Sequence, residues 1–447
     1  MFPYIPNTED SKKEMLDSIG VNSVEDLFKD INDNLLLQEE LKIPKHKSEI
    51  EVSSYIKKIS KMNETTEDYT CFLGCGAYDH YVPAVVDAVI SRSEYYTAYT
   101  PYQSEIAQGT LQTIFEFQSM MAALTGMDVC NASVYDGSTA IYEAAYMAVA
   151  ANRKKEILIS KSVHPEYRKV LKTSLNAAQI QYTEVEMKDG ATDLEDLKSK
   201  LNKDTSAVIV QSPNFFGLIE DVEGVVKEAH DNKSLVVMST DPIGLGALKT
   251  PGEMGVDIAT GEAQSLGMPL SYGGPYLGFI TATNKLIRKI PGRIVGITED
   301  IEGRRGFVLT LQAREQHIRR ERSISNICTN QALNATAATV YLSLFGKEGM
   351  KELASQNYNK AHYAYEKLME TGMFEDPWKK PFFKEFTLKY RGDINKLTES
   401  LKENKILGGF DPKTEYEALD NRLIIAVTEK RSKEEIDRLC SVVKEVE

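Results

Sequence analysis

The 447-residue chain reads as an α/β protein: a large domain on a mostly parallel sheet, a helical arm before it and a small α+β domain after it. Three observations point there. Apolar, β-branched runs at Glu156–Ser160, 207–211 and 235–240 alternate with amphipathic stretches at 165–175, 194–201 and 221–230. That is the spacing of strand–helix–strand units whose sheet is covered on both faces. After Pro381 the chain changes to strand, helix, strand, strand, helix, and before residue 66 no core-forming pattern emerges.

Along the chain, residues 1–65 form the arm, with short helices at 10–19, 24–28 and 48–62 in a polar background that suits packing on another surface. The large domain spans 66–325 and includes helices at 110–124 and 141–151. A helix-rich connection covers 311–370; its Arg314, Arg319, Arg320 and Arg322 sit among acids, as in helix-surface ion pairs. Residues 326–447 give the connecting helix and the small domain, with strand Glu385–Tyr390, helix Ile394–Glu403, and strands at 406–410 and 422–428. Ser432 with Glu435 is a capping box that opens the last helix. No repeat of 20–50 residues is present, which excludes a solenoid.

Composition narrows function. Lys+Arg 53 against Asp+Glu 66 leaves −13, an acidic balance that argues against general nucleic-acid binding. Cys71 and Cys75 form a single CxxxC without a second pair, so no metal is expected, and the five cysteines suit a reducing compartment. The N-terminus has acids and no apolar core of a signal peptide, and no apolar run reaches the ~20 residues that span a bilayer. A soluble, cytoplasmic protein without membrane contact is expected.

Chemistry-bearing residues cluster after the strands, where ligands of open parallel sheets bind. Tyr135-Asp136-Gly137-Ser138-Thr139-Ala140 precedes an Ala-rich helix, and Ser138 and Thr139 at that N-terminus offer N–H groups to a phosphate, or simply cap the helix. His164, just before Pro165, is either a ring to stack on a cofactor or a turn cap. Asp241 is either an acceptor for a pyridinium proton or the start of an Asp-Pro turn. The run from Tyr96 to Gly109 crowds aromatic, hydroxyl, amide and carboxylate groups, among them Thr100, Tyr102, Gln103, Glu105 and Gln108. Asn214 is the polar tip of a similar loop, Gln211-Ser212-Pro213-Asn214-Phe215-Phe216-Gly217.

The stretch 241–279 resembles the cofactor-holding strands of pyridoxal-phosphate enzymes of the aminotransferase fold, with Asp241 first and Gly273-Gly274-Pro275 last. In that fold a lysine some twenty-odd residues after the aspartate forms the Schiff base. Here the place falls on Ala263-Gln264-Ser265, and Lys249 lies too close to Asp241. The runs YTPYQSEIAQGTLQTIFEFQSMMAALTGMDV (99–129), VQSPNFFGLIED (210–221) and RGFVLTLQAREQHIRRERSISNICTNQALNA (305–335) extend the likeness to the whole chain. They resemble subunit 1, the α subunit, of the two-chain P-protein of the glycine cleavage system.

That resemblance implies a fold-type I, aminotransferase-like large domain with a mostly parallel seven-stranded sheet. It implies an enzyme subunit that, with a β subunit in an α2β2 complex, releases CO2 from glycine and passes the aminomethyl group to the lipoyl arm of the H-protein. Pyridoxal phosphate would be held by a His-Lys-Thr lysine of the β subunit, which aligns with Ala263-Gln264-Ser265 here, and not covalently by this chain. The family assigns no certain catalytic residue to this chain. Thr100, Tyr102, Gln103, Glu105, Gln108 and Asn214 are candidates for the shared interface and the glycine or lipoyl channel. Ser138, Thr139, His164, Asp241, Gln264 and Ser265 are candidates for a vestigial cofactor pocket. Two other readings stand beside this one: an independent transaminase- or desulfurase-type enzyme using another lysine such as Lys249, and a non-catalytic scaffold.

Overall fold

The computed structural model describes residue 4 and residues 6–37, 39–328 and 330–446. The chain divides into two compact units, 1–64 and 65–447. In the first, helix α1 (Glu9–Ile19) is capped by Thr8 and stops at Gly20. Helix α2 (Glu49–Ser60) opens on a capping box between Ser48 and Glu51. No residue of either helix is buried.

The second unit is built on seven strands: β1 (Val129–Cys130), β2 (Glu156–Ser160), β3 (Gln181–Val185), β4 (Thr205–Gln211), β5 (Leu235–Ser239), β6 (Ile258–Glu262) and β7 (Gly278–Ala282). They lie in the order β1-β7-β6-β5-β4-β2-β3. β7 runs antiparallel to β1 and β6, and the remaining pairs are parallel, as the sequence predicts. Helices α3 (Gln108–Thr125), α4 (Gly137–Asn152), α5 (Pro165–Ala177), α6 (Val222–Asp231) and α7 (Ala332–Glu370) pack around it.

Alternate residues of a strand face opposite sides. Ile157, Ile159, Ala207, Ile209 and Val237 pack with α4 and α5, whereas Leu158, Val208, Val210, Val236 and Met238 pack with α6. Both faces are buried, which is why these strands read as unbroken apolar runs. A third cluster joins Phe117 and Met121 of α3 to Phe279 and to Ala337 and Tyr341 of α7.

β8 (Ile294–Glu299) and β9 (Arg305–Thr310) form an antiparallel ribbon not anticipated from sequence. Beyond α7, strands β10 (Phe374–Glu375), β11 (Glu385–Tyr390) and β12 (Arg422–Ala426) make an antiparallel sheet in that order. Helices α8 (Ile394–Glu403) and α9 (Lys433–Glu445) join it around Phe386, Leu388, Leu397, Ile436 and Leu439. The Ser432–Glu435 capping box is present.

Two expectations are corrected. The strand at 406–410 shrinks to Ile406–Leu407, paired in parallel with Thr70–Cys71. Arg314, Arg319, Arg320 and Arg322 do not share an ion-paired helix, because left-handed φ at Leu311 (53°) and Arg320 (52°) breaks the run into single turns. Arg314 turns inward and donates to the carbonyls of Ile290 and Gly292.

Candidate functional site

The loops after β4, β5 and β6 meet the N-terminus of α5 at the carboxyl edge of the sheet, and enclose a cleft. Gly76 and Tyr78 close it from one side, and Phe383, Lys384 and Glu385 at the start of β11 from another. His164, Asp241, Gln264 and Ser265, four of the six pocket candidates, line it, and so does Asn214, expected instead at the shared interface. Ser138 and Thr139 stand on the first turn of α4, just beyond the lining residue Glu262. Thr100, Tyr102, Gln103, Glu105 and Gln108 lie apart, in the segment leading into α3.

At the α4 end, Asp136 Oδ1 accepts the Thr139 N–H and the Ser138 hydroxyl, both at 2.7 Å. Glu262 Oε2 accepts the Gly137 N–H at 3.0 Å, and Oε1 accepts the N–H groups of Gln264 (3.2 Å) and Leu277 (2.8 Å). A Cβ on Gly137 would fall 2.4 Å from the Tyr167 hydroxyl, so glycine is required by that close approach. The positive end of the helix is thus satisfied by the chain's own carboxyl groups.

His164 is the N-cap of α5. Its Nδ1 accepts the Glu166 N–H at 3.2 Å, and its Nε2 lies 2.8 Å from the Cys75 carbonyl, which assigns the proton to Nε2. Burial lowers its proton affinity. Its ring stacks on Tyr167 with centroids 4.7 Å apart, so the capping role is realised and the ring face is engaged within the chain. Gln264 is 1% exposed and clamps the Tyr78 backbone: Oε1 accepts its N–H (3.0 Å), and Nε2 donates to its carbonyl (3.0 Å) and to that of Met268 (2.7 Å). Ser265 Oγ is buried without a hydrogen-bond partner among the described residues.

Asn214 differs from the polar tip expected of it. It is 1% exposed and fully engaged, donating to the Gly190 carbonyl and Glu220 and accepting the N–H groups of Phe216 and Leu218. Its loop follows a buried strand, so the amide organises the turn. Gln108 is likewise a clamp, donating to the Phe307 carbonyl and accepting the Phe307 N–H, each at 2.8 Å. Lys249 is at the surface, paired with Glu223 at 3.0 Å, and does not line the cleft.

Sequence reasoning missed Tyr78, Tyr167, Glu262, Lys384 and Glu385. Glu262 had a signal: an acid ends the strand that carries the Gln264 position. Lys384 and Glu385 had none, since their place depends on how β11 docks. Glu385 accepts the Cys75 N–H (2.7 Å) and the Tyr78 hydroxyl (3.0 Å).

A pyridoxal phosphate site needs an amine, an acceptor for the ring N–H and room for a phosphate. Here the position that the resemblance gives for the amine carries the Gln264 amide, Glu262 and Tyr167 fill the space before Gly137, and Lys384 Nζ stands 2.7 Å from Asp241 Oδ2. The residual space is about 40 Å³, against roughly 300–1,000 Å³ in clefts that take small ligands. The residues present do not fit that cofactor. Among the described residues no His, Cys, Asp and Glu group could hold a metal ion, and no helix is long and apolar enough to cross a membrane.

Burial pushes Glu262 and Glu385 from 4.5 up to about 7. Between those values these two carboxyls bind more protons in the folded chain than in the unfolded one, so their contribution to stability is expected to fall as pH rises from about 4.5 through about 7. Urea unfolding across that range measures the slope, and Glu385→Gln should flatten part of it. An unchanged slope in that variant would contradict the assignment.

The description "Glycine cleavage system P-protein" belongs to the family whose profile matches residues 3–443. A curated relative, probable glycine dehydrogenase (decarboxylating) subunit 1 of Geobacillus sp. (strain WCH70), is 51% identical over 434 residues, 97% of each chain. A solved structure of glycine decarboxylase (P-protein) of the glycine cleavage system, in inhibitor-bound form, matches with TM-score 0.92 at 39% identity. That match covers 99% of this chain and 100% of the other. Alanine–glyoxylate aminotransferase from Nostoc sp., with TM-score 0.59 and 16% identity over 93% and 99% of the two chains, shares the fold. The architecture is therefore aminotransferase-like, of fold type I.

Proposed function

Because this chain belongs to the glycine cleavage system P-protein family, we propose that it is the α subunit of a glycine decarboxylase that works only with a second, β subunit. The complex, of α2β2 form and cytoplasmic, releases CO2 from glycine and passes the aminomethyl group to the lipoyl arm of the H-protein. The β subunit carries the pyridoxal phosphate, and this chain holds none covalently. The observation that carries the reading is the cleft itself: the fold of a cofactor enzyme with an amide, Gln264, clamped at the amine position. An independent enzyme built on Lys249 is disfavoured by that lysine's place at the surface, in an ion pair with Glu223.

What this chain contributes is surface. Tyr99 (75%), Tyr102 (67%) and Ile106 (81%) are exposed in the segment before α3, an arrangement that suits burial against a partner. Tyr102 lies over the Arg293 guanidinium, 5.7 Å from ring centroid to carbon, which supports the loop from beneath. Thr100, Tyr102, Gln103 and Glu105 would then face the glycine or lipoyl entrance of the β subunit.

Co-expression with a β subunit, followed by exchange of the glycine carboxyl with labelled bicarbonate, tests this. Neither chain alone should exchange. Glu105→Gln and Tyr102→Ala should each lower exchange by about tenfold or more, while leaving the isolated chain's stability within about 0.5 kcal/mol, as surface changes do. Exchange by this chain alone, or no loss in either variant, would sink the reading.

A further inference from the structure

Lys384 enters β11 and is 2% exposed. A lysine is rarely so buried unless its ammonium is paired. Its Nζ lies 2.7 Å from Asp241 Oδ2, 2.9 Å from His80 Nε2 and 3.8 Å from the centroid of the Tyr78 ring. An ammonium has no acceptor, so His80 Nε2 must accept from it. The imidazole is then neutral with its proton on Nδ1, which donates to Glu429 Oε2 at 2.7 Å. Glu429 also accepts the Tyr81 N–H (2.6 Å) and the Asn357 amide (3.1 Å). One buried cation therefore sits between two carboxylates, touching Asp241 directly and Glu429 through the imidazole.

We infer that Lys384 is a built-in counter-ion standing where a cofactor's protonated ring nitrogen would meet Asp241, so that the chain fills its own cleft and excludes pyridoxal phosphate. The opposite end is filled in the same sense, with the Glu262 carboxyl on the Gly137 N–H at the head of α4, where a phosphate would go. A cation at one end and a hydrogen-bonded carboxyl at the other are thus supplied from within. Lys384 is a positioning residue here and not a concealed Schiff-base amine. In pyridoxal the aldehyde carbon is para to the ring nitrogen, so an amine held on the nitrogen's acid is at the wrong end of the ring. Lys384 belongs to the C-terminal sheet and Asp241 to the large one, so the pair also pins β11 over the cleft. This goes beyond the glycine reading and does not depend on it.

The test uses the full chain as wild type, Asp241→Asn, Lys384→Met and the double variant. Each is titrated with pyridoxal 5′-phosphate by visible circular dichroism and melted. Wild type should show no saturable signal. Lys384→Met should lose the most thermal stability, because it leaves Asp241 buried without a cation, and the double variant should recover more than half of that loss. Opening both ends with Lys384→Ala and Glu262→Ala together should produce a saturable signal at concentrations where wild type shows none, and its absence would overturn the inference. Saturable binding by the wild-type chain, or additive losses around the cycle, would overturn the inference. If Lys384→Met fails to fold and the double variant folds, the coupling is demonstrated in extreme form; if both fail, the lysine serves packing instead of charge and the inference falls. None of these readouts involves glycine exchange, so failure here is distinct from failure of the proposed function.

Discussion

Gln264→Lys, which puts an amine at the position that the family resemblance gives for one, is expected to gain no covalent pyridoxal phosphate and to lose about 2–4 kcal/mol of stability. The glutamine makes three hydrogen bonds in a site that is 1% exposed. Lysine can replace the donors to Tyr78 and Met268 but not the acceptor, so the buried Tyr78 N–H is left unpaired. The new ammonium must also be desolvated. The amine alone would not make a site, because Lys384 stands on Asp241 and Glu262 and Tyr167 fill the space before Gly137. Urea unfolding gives the stability, and borohydride reduction with peptide mapping gives the linkage. A label on the introduced lysine with unchanged stability would show that the rest of the cleft is still a working cofactor site.

The difference between that outcome and the simple reading of a missing lysine measures what sequence could and could not reveal. Glu156–Ser160 is legible to the residue, because a doubly buried strand must be apolar throughout and its flanks are not. His164 and Asp241 are legible because strand ends in such a sheet converge, Gln264 and Ser265 only through the resemblance to cofactor-holding strands, and all four line the cleft. β6 and β7 were harder, since their glycines approach other groups closely: a Cβ on Gly261 would meet the Thr240 carbonyl oxygen at 2.3 Å. Asn214 and Gln108 look like ligand-facing polar groups in one dimension, and in three they are clamps, the first buried and the second half-buried. Nothing local marks Lys384, because its meaning comes entirely from Asp241 and His80 across the cleft.

Gly217→Ala should be among the most damaging single substitutions in the chain, at more than about 3 kcal/mol. Gly217 has φ +85°, and a Cβ there would lie 1.9 Å from the Glu385 carbonyl oxygen and 2.9 Å from the Phe386 nitrogen. These are backbone atoms of β11, so no side-chain rotation relieves the overlap and the strand itself must move. The junction is held tightly: Thr387 donates to the Phe216 carbonyl at 2.9 Å, and the Ile219 N–H donates to the Pro381 carbonyl at 2.9 Å. β11 is also the strand that brings Lys384 onto Asp241, so displacing it should weaken the cleft ion pair together with the fold. Gly303→Ala is the matched control, since its φ is +78° and nothing lies within 4 Å. It should cost only the backbone strain of about 1 kcal/mol. Urea midpoints of the two variants separate the contributions. Equal losses would mean that β11 yields freely at this junction, and that the cleft is closed by flexible contacts instead of the backbone approach at Gly217.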